Sequence, residues 1–169
     1  NPVPLRDVRP LPLDVREIEF IAHHLEQTGT ASPAILDGAA RVQTQYESFV
    51  EDHGEQYLDA VEDDLRNVVD RQAKVVSHVF DLEPHNAELP NDMMTRDVIE
   101  MLFEEIEDQR DLQELRIRVE AFDEVFRYRY CRNEELVREY DHEIPRPYYP
   151  DHYWWRHPDS VFEDCPESK

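Results

Sequence analysis

Glu139 and His142 stand three residues apart. That spacing puts a carboxylate and an imidazole on one face of a helix, as di-iron bundles require. Such a site also needs a second Glu-x-x-His on a facing helix and further glutamates from two others. No second copy lies on a long helix of this sequence. With 40 acidic residues and eight histidines in 169 positions, one accidental match is unsurprising. His23 and His24 are adjacent, so a helix turns them to different sides and at most one could join a site. His53, beside Glu51, Asp52 and Glu55, reads as a solvated acidic helix end. Ser48, Ser77 and Ser160 lie in no Gly-x-Ser-x-Gly turn, and neither Cys131 nor Cys165 has a local nucleophile signature. Paired carboxylates for acid–base work are assembled by a fold, and no pair stands out among so many acids. The sequence therefore predicts a chain that is not an enzyme, with no cofactor and no metal.

A cluster of a different kind lies near the C-terminus. Tyr148, Tyr149, Tyr153, Trp154 and Trp155 crowd together with Arg146, Pro147, Pro150, Arg156 and His157. Aromatic rings bury much area at little entropic cost and are frequent interface anchors. Proline stiffens such a segment and lowers the cost of ordering it on binding. Left in water the rings would form a sticky patch, so something must cover them. Either they fold back over this chain's own helices or they dock on a neighbouring subunit. The docking reading makes Arg146, Tyr148, Tyr149, Tyr153, Trp154, Trp155, Arg156 and His157 the partner-binding residues. Tyr149, Trp154 and Trp155 are then the anchors, and Arg146 and Arg156 pair with partner carboxylates.

The elements that would carry these groups are helical. Residues 1–13 hold four prolines and read as an extended arm. Asp14 caps a short helix over residues 15–27, with Val15, Ile18, Ile21, Ala22 and Leu25 on one stripe. Ser32 followed by Pro33 opens the next helix. Its stripe runs through Ile35, Ala39, Val42, Tyr46, Phe49 and Val50 to Gly54, which either ends the helix or only weakens it. Leu58, Val61, Leu65, Val68, Val69, Val76, Val79 and Phe80 continue at three- and four-residue spacing. Pro84 and Pro90 punctuate a turn. Asp92 or Thr95 then starts a third long helix reaching about Cys131, and Asn133 caps a last short one from Glu134 to about His142. The prediction is an all-α chain: an extended arm over 1–13, a helical domain over 14–143 built on an elongated antiparallel hairpin, and an extended aromatic tail over 144–169.

Composition supports that class. Only three glycines are present, too few for Gly-rich phosphate loops or most all-β folds. The net charge of −22 repels phosphate backbones and anionic membrane surfaces, so nucleic acid is not expected as a partner. It suits a basic protein partner or a crowded assembly. No run of about 18 apolar residues exists, so no transmembrane segment is expected. Two cysteines 34 positions apart define no disulfide framework, and a reducing compartment is the simplest home. A chain starting at Asn1 instead of Met fits either an organelle-imported protein whose presequence was removed or a truncated piece.

The stretch EELVREYDHEI followed by PYYPDHYWWRHP, within residues 134–158, resembles the C-terminal end of subunit d of the mitochondrial ATP synthase peripheral stalk. The likeness covers about 25 of the 169 residues. The family's usual Ile-Asp-Trp near the N-terminus is missing, Pro12-Leu13-Asp14 being the nearest counterpart. The resemblance implies a non-catalytic stator brace, or more broadly an accessory subunit of a mitochondrial respiratory complex. Its partners would be other protein subunits, on the matrix side or associated with the inner membrane through them. Two further readings stand beside it: a metal-binding, di-iron-like helical bundle enzyme, and a small acidic chaperone or inhibitor of a basic protein.

Overall fold

A computed structural model of the chain describes residues 10–78 and 88–166, with Pro10, 74–78 and Glu88 described by backbone alone. Residues 1–9 of the expected arm and the turn at 79–87, with Val79, Phe80 and Pro84, lie outside the described residues. The fold is all-α, with no strand among the described residues. The helices are α1 (Pro10–Gln27), α2 (Pro33–His53), α3 (Glu55–His78), α4 (Glu88–Ile106), α5 (Gln113–Arg132), α6 (Glu134–Glu139) and α7 (Pro158–Glu163). A 3-10 turn, Trp154–Arg156, precedes α7.

Several boundaries follow from local chemistry. α1 begins at Pro10, five residues before the expected start at Val15, so residues 10–13 of the expected arm are helical and Asp14 lies inside the helix. Pro10 and Pro12 fit because the first turn of a helix leaves its N–H groups without intrahelical partners. Ser32 caps α2 as expected, its Oγ accepting from the Ile35 N–H at 3.3 Å. Gly54 ends α2 outright, with φ 53° and ψ −128°, a backbone state that glycine adopts at little cost. Pro90 sits within the first turn of α4, where its missing donor is again harmless.

The expected third long helix is in fact two. Ile106 and Leu112 are six residues apart, so an unbroken helix would turn them roughly 120° away from each other. The chain breaks at residues 107–112 and restarts as α5 in a new register. The extended tail is also corrected. Residues 144–166 form turns, the 3-10 turn and α7, held by local backbone hydrogen bonds such as Tyr149 N–H to Arg146 O at 2.9 Å.

The chain divides into two compact units. The first comprises Asn1–Leu65 with Met101–Asp111, and the second Arg66–Glu100 with Leu112–Lys169. In the first, the buried side chains come from α1 (Pro12), α3 (Tyr57, Val61, Leu65) and the end of α4 (Met101, Leu102, Phe103, Ile106). Arg110, just past α4, binds Glu55, Asp59 and Glu62, three successive turns of α3, at 2.8, 2.9 and 3.2 Å. In the second, Leu115, Val119, Asp123, Phe126 and Tyr130 form the buried stripe of α5. Cys131 at the end of α5 is joined to Cys165 beyond α7 by a disulfide with Cα atoms 5.6 Å apart. The two cysteines thus form a cross-link that sequence separation alone did not suggest.

Candidate functional site

The residues expected to grip a partner lie in the second unit, and half of them are buried in it. Tyr149, Tyr153, Trp155 and Arg156 are buried; Arg146, Tyr148, Trp154 and His157 are half-buried. Trp155 is completely enclosed. Its indole N–H donates to Asp97 Oδ1 on α4 at 2.7 Å, and the Arg96 guanidinium lies 4.1 Å over its ring. The Tyr130 hydroxyl of α5 donates to the Trp155 carbonyl at 2.6 Å. Tyr149 and Tyr153 stack with centroids 5.2 Å apart, and Tyr153 continues onto Trp155 at 5.2 Å.

Arg156, expected to pair with a partner's carboxylate, pairs instead with Asp97 through Nε and Nη2. Its Nη1 donates to the Glu143 and Ile144 carbonyls at 2.7 and 3.2 Å. Arg146 donates to the His142 carbonyl, and His157 Nε2 lies 2.9 Å from the Tyr149 carbonyl oxygen. Tyr149, Tyr153 and Trp155 are therefore covered within the same unit, while Tyr148 and Trp154 stay half-buried. Burial also pushes the Tyr130 hydroxyl well above its ordinary range.

Around this tail lies a buried ionic lattice. Arg96 forks onto Asp123 at 2.8 and 3.0 Å and reaches Glu100 at 2.9 Å. Arg116 holds the same Glu100 at 2.9 and 3.1 Å. Burial alone would raise the Glu100 pKa, but the Arg116 hydrogen bond and the Arg96 charge hold it below the ordinary carboxylate value. Arg129 closes on Asp92 at 2.7 Å. Arg96, Arg116 and Arg129 each meet a carboxylate here, so the lattice fixes packing register.

Glu139 and His142 do not meet other acids inside a bundle. α6 stops at Glu139, both side chains are exposed, and His142 Nε2 faces only Asp141 at 3.4 Å. His23 is exposed, and His53 rests against Phe49 with ring centroids 4.4 Å apart.

The first unit carries the feature that the sequence reading passed over. α2 spans 21 residues with an apolar stripe, and none of its residues is buried. In α1 only Pro12 is buried among the residues whose side chains are described. The two helices pack together, yet Ile18 and Ile35 remain 38% and 44% exposed. Between them runs a groove with two adjoining parts. One, about 300 Å³, lies by Pro12, Val15, Tyr46 and Val50. The other, about 460 Å³, lies by Ile18, Ala22, Ala39 and Val42. Glu19 and Glu47 border both. Glu26, Glu51 and Glu105 complete five lining carboxylates against one guanidinium, Arg16.

The groove floor is fixed. Glu105 of α4 accepts hydrogen bonds from Tyr46 of α2 at 2.6 Å and Tyr57 of α3 at 2.8 Å, and the two hydroxyls also touch. Arg16 of α1 approaches Glu105 at 3.5 Å and Glu104 at 3.7 Å. Both tyrosines are held well above their ordinary pKa, first by burial and then by the Glu105 carboxylate. They are permanent donors across the physiological range, which suits a structural node joining four helices.

No family model matches the chain, and no curated protein or solved structure is detectably similar to it. The periodic stripes of α1 and α2 were visible in the sequence, but periodicity does not say what a stripe packs against. The missing signal was in residue size. Ala22, Ala39 and Ala40 are too small to fill the space between two helices by themselves.

Proposed function

We propose that this chain is a non-catalytic interaction protein that docks a basic partner protein on the α1–α2 face of its first unit. The carrying observation is that α2 keeps an apolar stripe through six turns with no buried residue. A helix draws most of its stability from burying such a stripe, so a stripe left half-covered is a docking surface in waiting. The carboxylate rim gives the partner its sign. A second copy of this chain would bring the same acids and a net charge of −22 to the contact, so self-association is opposed.

The reading keeps the accessory-subunit and acidic-chaperone ideas in their common form, a chain that works by holding another protein. It does not lean on the likeness to the stalk subunit's C-terminus, because those rings are engaged within this chain. The Cys131–Cys165 bond suits an oxidising compartment better than the reducing one expected from cysteine count. Among the described residues, no helix is long and apolar enough to cross a membrane, so any membrane attachment through these residues would be indirect.

The test is site-resolved cross-linking in the complex isolated from its native source. Carboxylate-directed links from Glu19 and Glu47 to partner lysines, lost when Val42→Glu is introduced, support the reading. Links confined to residues 144–166 would contradict it.

A further inference from the structure

The groove has dimensions and a charge pattern that specify its occupant further, granted the docking reading above. Its lining runs from Pro12 to Glu26 along α1 and from Ala39 to Glu51 along α2. At 1.5 Å per residue the longer wall is about 20 Å, or four helical turns. A strand laid there would leave its backbone N–H and C=O groups facing apolar side chains with no sheet edge to pair with. A helix satisfies its own backbone and can pack its ridges between two neighbours. Glu19 and Glu26 stand two turns apart on one wall, and Glu47 and Glu51 one turn apart on the other. Cations on both flanks of an entering helix would therefore meet carboxylates.

We propose that the face takes a cationic amphipathic helix of about four turns, which completes the α1–α2 layer and inserts one Lys or Arg side chain into the pocket beside Tyr46. That pocket holds about 300 Å³, the low end of the range for small-ligand sites and ample for one long side chain. Val15 and Val50 supply apolar walls for the methylene stem. Tyr46 offers a ring face, and Glu47 and Glu51 stand at the rim to receive the charged head. Arg16 lines the same pocket but is already matched by Glu19, Glu104 and Glu105, at 3.5 to 3.7 Å. It does not invite an anion.

The probes are synthetic 15-residue helices with a leucine stripe and flanks of Arg, Gln or Glu, plus a set in which each Arg in turn becomes Gln. Binding to the whole chain is read by fluorescence anisotropy at about 0.1 M and about 0.5 M salt, over which the Debye length falls from about 10 Å to roughly 4 Å. The Arg-flanked helix binds, binding weakens with salt, and one Arg position matters about tenfold more than the rest, as one well-placed charge contact would. Glu47→Gln with Glu51→Gln abolishes that position's excess. Both side chains are exposed, so circular dichroism should show the double variant folded. If all Arg positions are equal, or the double variant changes nothing, the inserted cation is overturned while docking stands. If the Gln or Glu helix binds as well as the Arg helix, the cationic partner is overturned. If no probe binds, or the chain sediments as a dimer that Val42→Glu splits, the docking reading falls and this one with it.

Discussion

The two units spend similar residues in opposite ways. The second packs rings and charged groups tightly enough that even Arg156 is 3% exposed, and its buried polar side chains find partners as far as 59 residues away in the chain. The first has a firm base where α3 meets the end of α4, but its outer helices show no such closure. α2 is as amphipathic as α1 and longer, yet none of its residues is fully buried. The difference teaches that aromatic richness locates a core as readily as an interface. Incomplete burial of an ordinary stripe is the better marker of an interface. It also shows why a strongly acidic chain can keep a buried ionic lattice: a carboxylate matched by a forked guanidinium no longer counts as solvated charge.

The comparison breaks most readily in the second unit. Trp155→Ala removes the enclosed ring and the indole donor to Asp97 and opens a cavity, at an expected cost of about 3–5 kcal/mol in denaturant unfolding. A small effect there would mean the tail is not core. Replacing both cysteines by Ser should cost about 2–4 kcal/mol, with the loss confined to the second unit. Glu100→Gln should cost about 1.5–3 kcal/mol by weakening its bonds to Arg96 and Arg116. Its folded pKa lies below its ordinary 4.5, so its contribution is fully present above that value and is lost as pH falls through the folded one. Acid unfolding of Glu100→Gln should accordingly show a shallower slope below about pH 4.5 than the parent, measured by circular dichroism.

Smaller effects sharpen the contrast on the first unit. Tyr46→Phe removes one of the two hydroxyl donors to Glu105 and should cost about 1 kcal/mol, while loosening the groove floor. Val42→Glu should change stability by no more than about 0.5 kcal/mol, because the residue is only half-covered, yet it should abolish docking. A large destabilisation by Val42→Glu would show that the stripe already has its cover.

The helical class, the Ser32 cap and the end of α2 at Gly54 could be read from residue type and spacing. The break after Ile106 left only a weak trace, a six-residue step that shifts the stripe, and the spacing by itself predicts one continuous helix. Other features were hidden for physical reasons. The buried stripe of α5 passes through Asp123, not its apolar neighbour Phe122, because Arg96 compensates the charge from another helix. Asp97 reads as a surface acid until Trp155 and Arg156 return to it from 58 and 59 residues away. The same holds for the groove: Val15, Ala39 and Val42 announce a face, and only the fold shows that the face is left half-covered.

Amide hydrogen exchange of the isolated chain tests the central claim most directly. Amides of α1 and α2 should exchange by local opening, far faster than those of α5 and residues 149–156, and should slow when the Arg-flanked helix is added. Protection of α1 and α2 equal to that of α5 in the isolated chain, or rapid exchange across residues 149–156, would contradict the account.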